Sequence, residues 1–519
     1  MKEDGSRLTI SGEKSFDEKS RFWFCIIVTT VIGLVGHAYR FFSNAFSHDS
    51  LDSIYSDMSE YKWKIALGRF CTPIIMKLRG NISLPWLIGI VSIVFIAISV
   101  YFVVKTFDIK SKWLIVLTAG IMTTNITVTA TAATYMHDLD FDMLALLMSC
   151  AAAYFMMKKD SFGWYILSAL FIMISLGLYQ SYIEVAVMIV IIASIKNLLD
   201  GRVAKDVLVR GVKAIAAFAV GGSLYFVAYK LICKATTVSA QERTEIHANL
   251  DTSIIISIKT MLYKIFDMFK NPTTIFNSGF MGAVSLLLVV VGVILCVVMI
   301  FKLGKSKTAE KIIALLLLAA MPIAVNIISV VVNGEVYELM IYSFWFIYIF
   351  SLVITQFASE NYGSSKLNKM IRMASFALAM IIIWNNIAVS NAAYLKKDFE
   401  NTAAVATMTR VVNDLEERSD YKAGQSEITF VGVTKTMDAM PGFEFLSDTT
   451  GLRGTSPITQ SSISDHYNLY KSFFNYYMNY PLNYSKKDFS DDERVKQMST
   501  YPQEGYIENI DGVIVVKMG

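Results

Sequence analysis

Long apolar runs separated by short polar breaks dominate the chain from residue 22 to residue 393. Runs of about 20 apolar residues match the hydrocarbon thickness of a bilayer. The pattern predicts membrane-spanning helices at 22–42, 85–104, 113–133, 142–157, 164–178, 182–199, 213–232, 280–301, 312–332, 341–358 and 372–393, about eleven in all. Only Tyr179-Gln180-Ser181 divides the two stretches between 164 and 199. The expected fold class is an α-helical polytopic membrane protein.

Three segments break this pattern. The first is the loop at 43–84, which takes in nearly all of the stretch Phe42–Arg79, where Asp49, Asp52, Asp57 and Glu60 precede Lys62, Lys64 and Arg69. The second is 233–279. From Thr252 to Phe269 it places Ile254, Ile255, Ile258, Met261, Leu262, Ile265 and Phe269 at helical spacing, as an amphipathic helix lying on the membrane surface would. The third is the polar tail, 394–519. It has a helical pattern from Phe399 to Arg418 and strand-like runs at Ile428–Val433 and Gly512–Val516. We read it as a small α/β domain of about 120 residues, large enough for its own core. The organisation is therefore a tail at 1–21, a membrane domain at 22–393 and an extracytoplasmic domain at 394–519.

Composition agrees. The 519 residues are 54% hydrophobic and 17% charged, with mean hydropathy +0.48, against about 45–50% and 25% for soluble domains. The first apolar run has no small-residue cleavage site and reads as a retained helix. Cys25, Cys150 and Cys296 fall within spans as small buried hydrophobes, and Cys71 with Cys233 does not define a disulfide. A net charge of +4 carries no nucleic-acid signature.

Lysine and arginine set the expected orientation. With the N-terminus cytoplasmic, inner loops hold Lys105, Lys110, Lys112, Lys158, Lys159, Arg202 and Lys205, and later Lys302, Lys305 and Lys307. The short outer loops at 134–141, 179–181 and 333–340 hold neither residue type. The C-terminal domain then lies outside.

The outer face collects carboxylates: the first-loop acids, then His137, Asp138, Asp140 and Asp142, then Glu184, Glu335 and Glu338. Ionisable groups beside spans are expensive and mark functional sites by default. Such a cluster suits a general base toward a sugar hydroxyl, a divalent metal, or cation conduction. His-Asp occurs at His48-Asp49 and His137-Asp138, which makes His48, His137 and Asp138 metal candidates, although no zinc-type spacing supports them. Lys64 and Arg69 suit a lipid-linked phosphate or, equally, lipid headgroups. The tyrosines from Tyr467 to Tyr484 suit sugar stacking, an interfacial belt or domain docking.

The order of these motifs, His48-Asp49, Gly68-Arg69, Tyr135-Met136-His137-Asp138 and Tyr179-Gln180, resembles the type-II O-antigen glucosyltransferase (Gtr) family of bacterial membrane enzymes. The resemblance is clearest over 22–200. Family members often carry paired acids where this chain has His48-Asp49, and a proline where it has Phe70. The resemblance implies a GT-C-like glycosyltransferase in the bacterial cell membrane. It would move glucose from a polyprenyl-phosphate donor to a surface glycan on the outer face. It also implies Asp49 as the catalytic aspartate and Arg69 facing the donor phosphate. Beside it, the residues themselves assign Asp138 and Asp140 to orienting acceptor or metal, and Lys64 to the phosphate. Tyr135, Tyr179, Gln180, Glu184 and Glu335 are the expected substrate contacts. Two alternatives stay open at this stage: a transporter or flippase of a lipid-linked glycan, and a surface-polysaccharide polymerase. A transporter calls for broken helices and polar residues at mid-depth, whereas the charges here gather at the span ends.

Overall fold

A computed structural model describes residues 17–239, 254–327, 337–361, 366–432, 440–446 and 466–519. Helix α1 (Glu18–Phe42) enters the bundle and is followed by three short helices, α2 (His48–Asp52), α3 (Met58–Ala66) and α4 (Thr72–Leu78). The bundle continues through α5 (Pro85–Thr106), α6 (Lys112–Thr124), α7 (Ile126–Thr134), α8 (Leu139–Lys158), α9 (Phe162–Leu178), α10 (Ile183–Leu199) and α11 (Ala204–Thr236). Then come α12 (Ile254–Lys270), α13 (Ser278–Lys302), α14 (Thr308–Ala324) and two further helices, Phe346–Asn361 and Lys366–Glu416.

Nine helices among the described residues are long and apolar enough to cross a membrane. Two of the expected spans are shorter: α9 and α14 have 17 residues each. The third expected span is interrupted at Asn125, which adopts extended backbone between α6 and α7. Its side-chain amide donates to the carbonyls of Ile121 and Met122 at 3.0 and 2.9 Å, and its oxygen accepts from the Val128 amide at 3.1 Å. One side chain thus replaces the helical bonds lost at the break, as non-helical backbone buried in protein requires.

Helix α8 is the centre of the bundle, packed against α5, α9 and α10. It is apolar around most of its circumference, as a fully surrounded helix should be. Where α8 meets α9, Ser149 and Ser175 hydroxyls lie 2.9 Å apart and Ser175 donates to the Ala145 carbonyl at 3.0 Å. Small hydroxyl residues allow this close approach and link the two helices.

The two ends of the bundle differ chemically. At one end Lys105 pairs with Glu18 at 2.7 Å, Lys213 with Asp160 at 2.8 Å, and Lys158 with Asp108. The other end carries the first loop, the turns at 135–138 and 179–182, and the C-terminal unit.

Helix Lys366–Glu416 carries the chain into that unit without a break. It joins the expected last span and the expected Phe399–Arg418 helix into one element of 51 residues, about 76 Å at 1.5 Å per residue. Beyond it lies a four-stranded sheet of order β2-β1-β4-β3, with β1 (Glu427–Val431), β2 (Asn483–Tyr484), β3 (Ile507–Ile510) and β4 (Val513–Lys517). Strand β1 pairs parallel with β2 and β4, and β3 pairs antiparallel with β4. Asp511 and Gly512, both at positive φ, make the tight β3–β4 turn. The two strands anticipated from sequence are thus β1 and β4, side by side at the sheet centre.

The C-terminal unit grips the first loop. Phe46 and Leu51 share a core with Met408, Tyr470, Phe473 and Phe474. The Phe46 amide donates to the Tyr477 hydroxyl at 2.9 Å, and Asn401 donates to the Phe46 carbonyl at 3.2 Å. Tyr470 stacks on Phe430 at 4.3 Å. The tyrosine-rich stretch is therefore used, at these positions, for the unit's core and its docking. Helix α12 forms as anticipated, with Met261 buried and Leu262, Tyr263 and Phe266 exposed.

Candidate functional site

The first loop is a compact structure with its own caps. Ser47 caps α2, its hydroxyl accepting from the Ser50 amide at 3.1 Å. Asp57 caps α3 by accepting from Ser59 and Glu60 amides at 2.7 and 3.1 Å; the Ser59 hydroxyl, donating at 2.6 Å, and then the Glu60 amide hold its carboxyl below the usual range. The loop closes on itself through the Ser56 amide to the Asn81 carbonyl at 2.8 Å and a bridge between Tyr55 and Ile82. Three cations project from it: Lys64 from α3, Arg69 just after α3, and Arg79 just after α4.

They meet the start of α8. Lys64 Nζ reaches both Asp138 oxygens, at 2.8 and 2.7 Å, and lies 3.4 Å from Glu60. Arg69 Nη1 adds a bond to Asp138 at 3.3 Å. Arg79 Nη1 grips both Asp140 oxygens at 2.9 and 3.0 Å, while its Nη2 donates to the His137 carbonyl at 2.7 Å. The Arg79 guanidinium also lies over the Phe141 ring, 4.7 Å from its centroid. Lys64, Arg79, Asp138 and Asp140 are almost fully buried, whereas the Arg69 side chain is 21% exposed. Buried charges survive only when paired and hydrogen-bonded, and Asp138 and Asp140 satisfy that rule through loop residues remote in sequence.

Gly68-Arg69 and Tyr179-Gln180 are one device. The Arg69 guanidinium sits over the Tyr179 ring at 4.2 Å, a cation–π contact. Gln180 Nε2 donates to the Leu67 carbonyl at 2.8 Å and to the Tyr225 hydroxyl at 3.2 Å. Burial opposes the Arg69 charge, but Tyr179, Asp138 and Asp142 together raise its pKa above the ordinary value. Gly68 has φ +77°, and a Cβ there would lie 2.4 Å from the Tyr225 hydroxyl and 2.7 Å from Gln180 Nε2. We therefore expect Gly68→Ala to displace Arg69, costing at least ~1–2 kcal/mol and lowering turnover. Thermal unfolding and initial rates measured on the same preparation check this.

Other expected site residues fall as follows. Helix α2 is held against the Asp138 turn, since Ser50 Oγ donates to the Thr134 carbonyl at 2.6 Å and lies 3.4 Å from His137 Nδ1. His48 and Asp49 belong to this helix, but their side chains lie outside the described residues. The Tyr135 and His137 rings are 6.3 Å apart. Gln180 supports the Arg69 corner. Glu184 is fully buried and accepts from Ser343 at 3.2 Å, joining α10 to the 3₁₀ turn at Tyr342–Trp345. Glu335 lies outside the described residues.

From sequence alone Arg79 has no assigned role, and Asp142 counts among the outer-face carboxylates without one. Arg79 is the last residue of the stretch singled out in the sequence, and Asp142 lies four residues after Asp138, one helical turn on the same face. Arg40, fully buried at the end of α1, donates from Nε to the Ala132 carbonyl at 2.8 Å, while its Nη2 has no hydrogen-bond partner among the described residues. Its sequence neighbours, Tyr39 and Phe41, make it look like an ordinary span boundary.

Among the described residues no group of three or more His, Cys, Asp or Glu side chains is placed to hold a metal ion. Both Asp138 oxygens are engaged by Lys64. The described donors fit ion pairs.

This arrangement, a bundle of apolar helices with a buried, ion-paired acid–base cluster at one end, defines a multi-pass membrane protein with a polar site at the ends of its spans. A family model described as glucosyl transferase GtrII matches residues 38–356, more than half of the chain. The chain belongs to that family and is a glycosyltransferase. No curated protein and no solved structure matches it.

Proposed function

We propose that the chain transfers glucose from a polyprenyl-phosphate donor to a cell-surface glycan, in a GT-C-like active site on the outer face of the bacterial cell membrane. The acceptor hydroxyl oxygen attacks the anomeric carbon, and the bond from that carbon to the phosphate oxygen breaks. Polyprenyl phosphate leaves, and the acceptor proton passes to the Asp49 carboxylate. Arg69 faces the phosphate, because its fork has donors to spare while Lys64 is committed to Asp138. Asp138 and Asp140 hold the cation array in position, and Lys64 neutralises Asp138 so that the arginine can serve the donor. The phosphate is a good leaving group, so positioning and charge stabilisation are the protein's main tasks.

The observation that carries this reading is the placement of Arg69 between Asp138 and the Tyr179 ring, at the end of the bundle where α2 also lies. A lipid tail can then remain among the spans while its phosphate reaches a cation. The membrane position and the extracytoplasmic C-terminal unit are parts of the same proposal, supported by the lysine-rich opposite end. Mass spectrometry of surface glycan from cells with and without the gene should show a hexose present only with it. Asp49→Asn should lower transfer by roughly 10²–10⁴, the range for loss of a general base. Undiminished turnover in that variant would remove Asp49 from the mechanism.

A further inference from the structure

Of the three carboxylates at the start of α8, Asp138 and Asp140 are each gripped by cations, and Asp142 is not. Asp142 is 4% exposed, and no hydrogen bond or ion pair reaches it among the described residues. The charges that act on it are those of Arg69, Asp138, Lys64 and Asp140, all belonging to the cluster one helical turn away. A buried carboxyl without a hydrogen bond is costly, and natural sequences rarely keep one that has no task.

A second unengaged group lies beside it. Tyr182, in the 3₁₀ turn at Gln180–Tyr182, is 1% exposed, and its hydroxyl has no hydrogen-bond partner among the described residues. The turn packs on α8, and the Asp142 charge acts on both Tyr179 and Tyr182. The Tyr182 ring lies 5.8 Å from that of Tyr179 and 5.4 Å from that of Tyr342. The Tyr342 hydroxyl is engaged, donating to the Met122 carbonyl. A carboxyl and a phenol, walled by aromatic rings and adjoining the arginine assigned to the phosphate, are thus both left without hydrogen-bond partners among the described residues.

We propose that Asp142 and Tyr182 form a subsite for sugar hydroxyls, about 6 Å further along α8 than the ion-paired Asp138. One hydroxyl donates to Asp142 while another accepts from the Tyr182 phenol, and the neighbouring rings offer apolar faces to the C–H side of the sugar. Neither residue takes part in bond making, so both are binding and positioning residues. A site built to bond a hydroxyl strongly rejects an analogue lacking it, because its own polar groups are then left unpaired. The inference rests on the glycosyl-transfer reading above. The sugar held is either that of the donor or that of the acceptor, and the kinetics distinguish them.

The test uses full-length protein in proteoliposomes with polyprenyl-phosphate glucose, its singly deoxygenated analogues, and the cell's own surface glycan as acceptor. For a donor subsite, one deoxygenated donor loses about 10- to 100-fold in kcat/KM with the wild type, the range for a hydrogen bond to a charged group. Asp142→Asn loses a similar factor with the ordinary donor and little more with that analogue, and Tyr182→Phe loses about 3- to 10-fold. A rise in acceptor KM alone, with donor KM unchanged, assigns the subsite to the acceptor. Additive losses, or wild-type kinetics in both folded variants, overturn the proposal. Should Asp142→Asn not fold, Tyr182→Phe and the deoxygenated donors carry the test. Saturation-transfer NMR with methyl glucoside, on the same protein in nanodiscs, separates this proposal from the donor assignment. A methyl glucoside signal that is present with the wild type and disappears in Asp142→Asn sustains the subsite even if polyprenyl-phosphate glucose is no donor. Absence of that signal from the wild type, together with absent turnover, overturns both.

Discussion

Lys64→Ala should destabilise the folded protein by about 3–5 kcal/mol, the cost of leaving a buried charge without its partner. Lys64 and Asp138 have side chains only 4% and 6% exposed, and both carboxylate oxygens bond to the one ammonium. Arg69 cannot fill the gap, because it reaches Asp138 by a single bond of 3.3 Å and is otherwise placed over Tyr179. The remedy is as informative as the damage. Adding Asp138→Ala to Lys64→Ala should restore part of the stability, because the orphaned charge is gone. Chemical unfolding of the purified protein in detergent measures both, and strictly additive losses would show that the two side chains do not form a pair.

Arg69→Ala should instead act on the reaction. Its side chain is the more exposed of the two cations on Asp138, and Lys64 still neutralises that carboxylate when Arg69 is removed. Stability should therefore change far less than in Lys64→Ala, while turnover falls by about 10²–10³, the usual loss when one donor to developing charge is deleted. Arg69→Lys should recover only part of that loss. A lysine keeps the charge but lacks the planar fork that can stack on Tyr179 and still present donors to a phosphate. Initial rates on protein shown to be folded provide the check, and wild-type turnover in Arg69→Ala would remove it from the donor site.

Hydropathy found the long apolar helices because each residue's preference for lipid is local and additive along a run. It found β1 and β4 for a similar reason: Ile428–Val431 and Val513–Val516 are short apolar runs bounded by turn residues. Asn125 escaped notice, since one amide in an apolar run lowers the average little, although its side chain reorganises the backbone of a whole span. The continuous Lys366–Glu416 helix also crosses a sharp change of composition without a backbone signal to stop it.

The acid and base clusters were visible as clusters, but their pairing was not. Lys64 and Asp138 are 74 positions apart and Arg79 and Asp140 are 61 apart, and nothing in composition chooses among the possible partners. Gln180, singled out for a tyrosine-glutamine motif, braces the Leu67 carbonyl 113 positions away. Short motifs report that residues belong together, and only the packed structure says whether the reason is chemistry or support.

The most direct measurement is transfer of labelled glucose by the purified full-length protein in proteoliposomes, with polyprenyl-phosphate glucose or nucleotide-linked glucose supplied as the donor in parallel. The account predicts label in the glycan from the lipid-linked donor and almost none from the nucleotide sugar, with the signal collapsing in Arg69→Ala. Transfer from the nucleotide sugar alone, undiminished by that substitution, would contradict it.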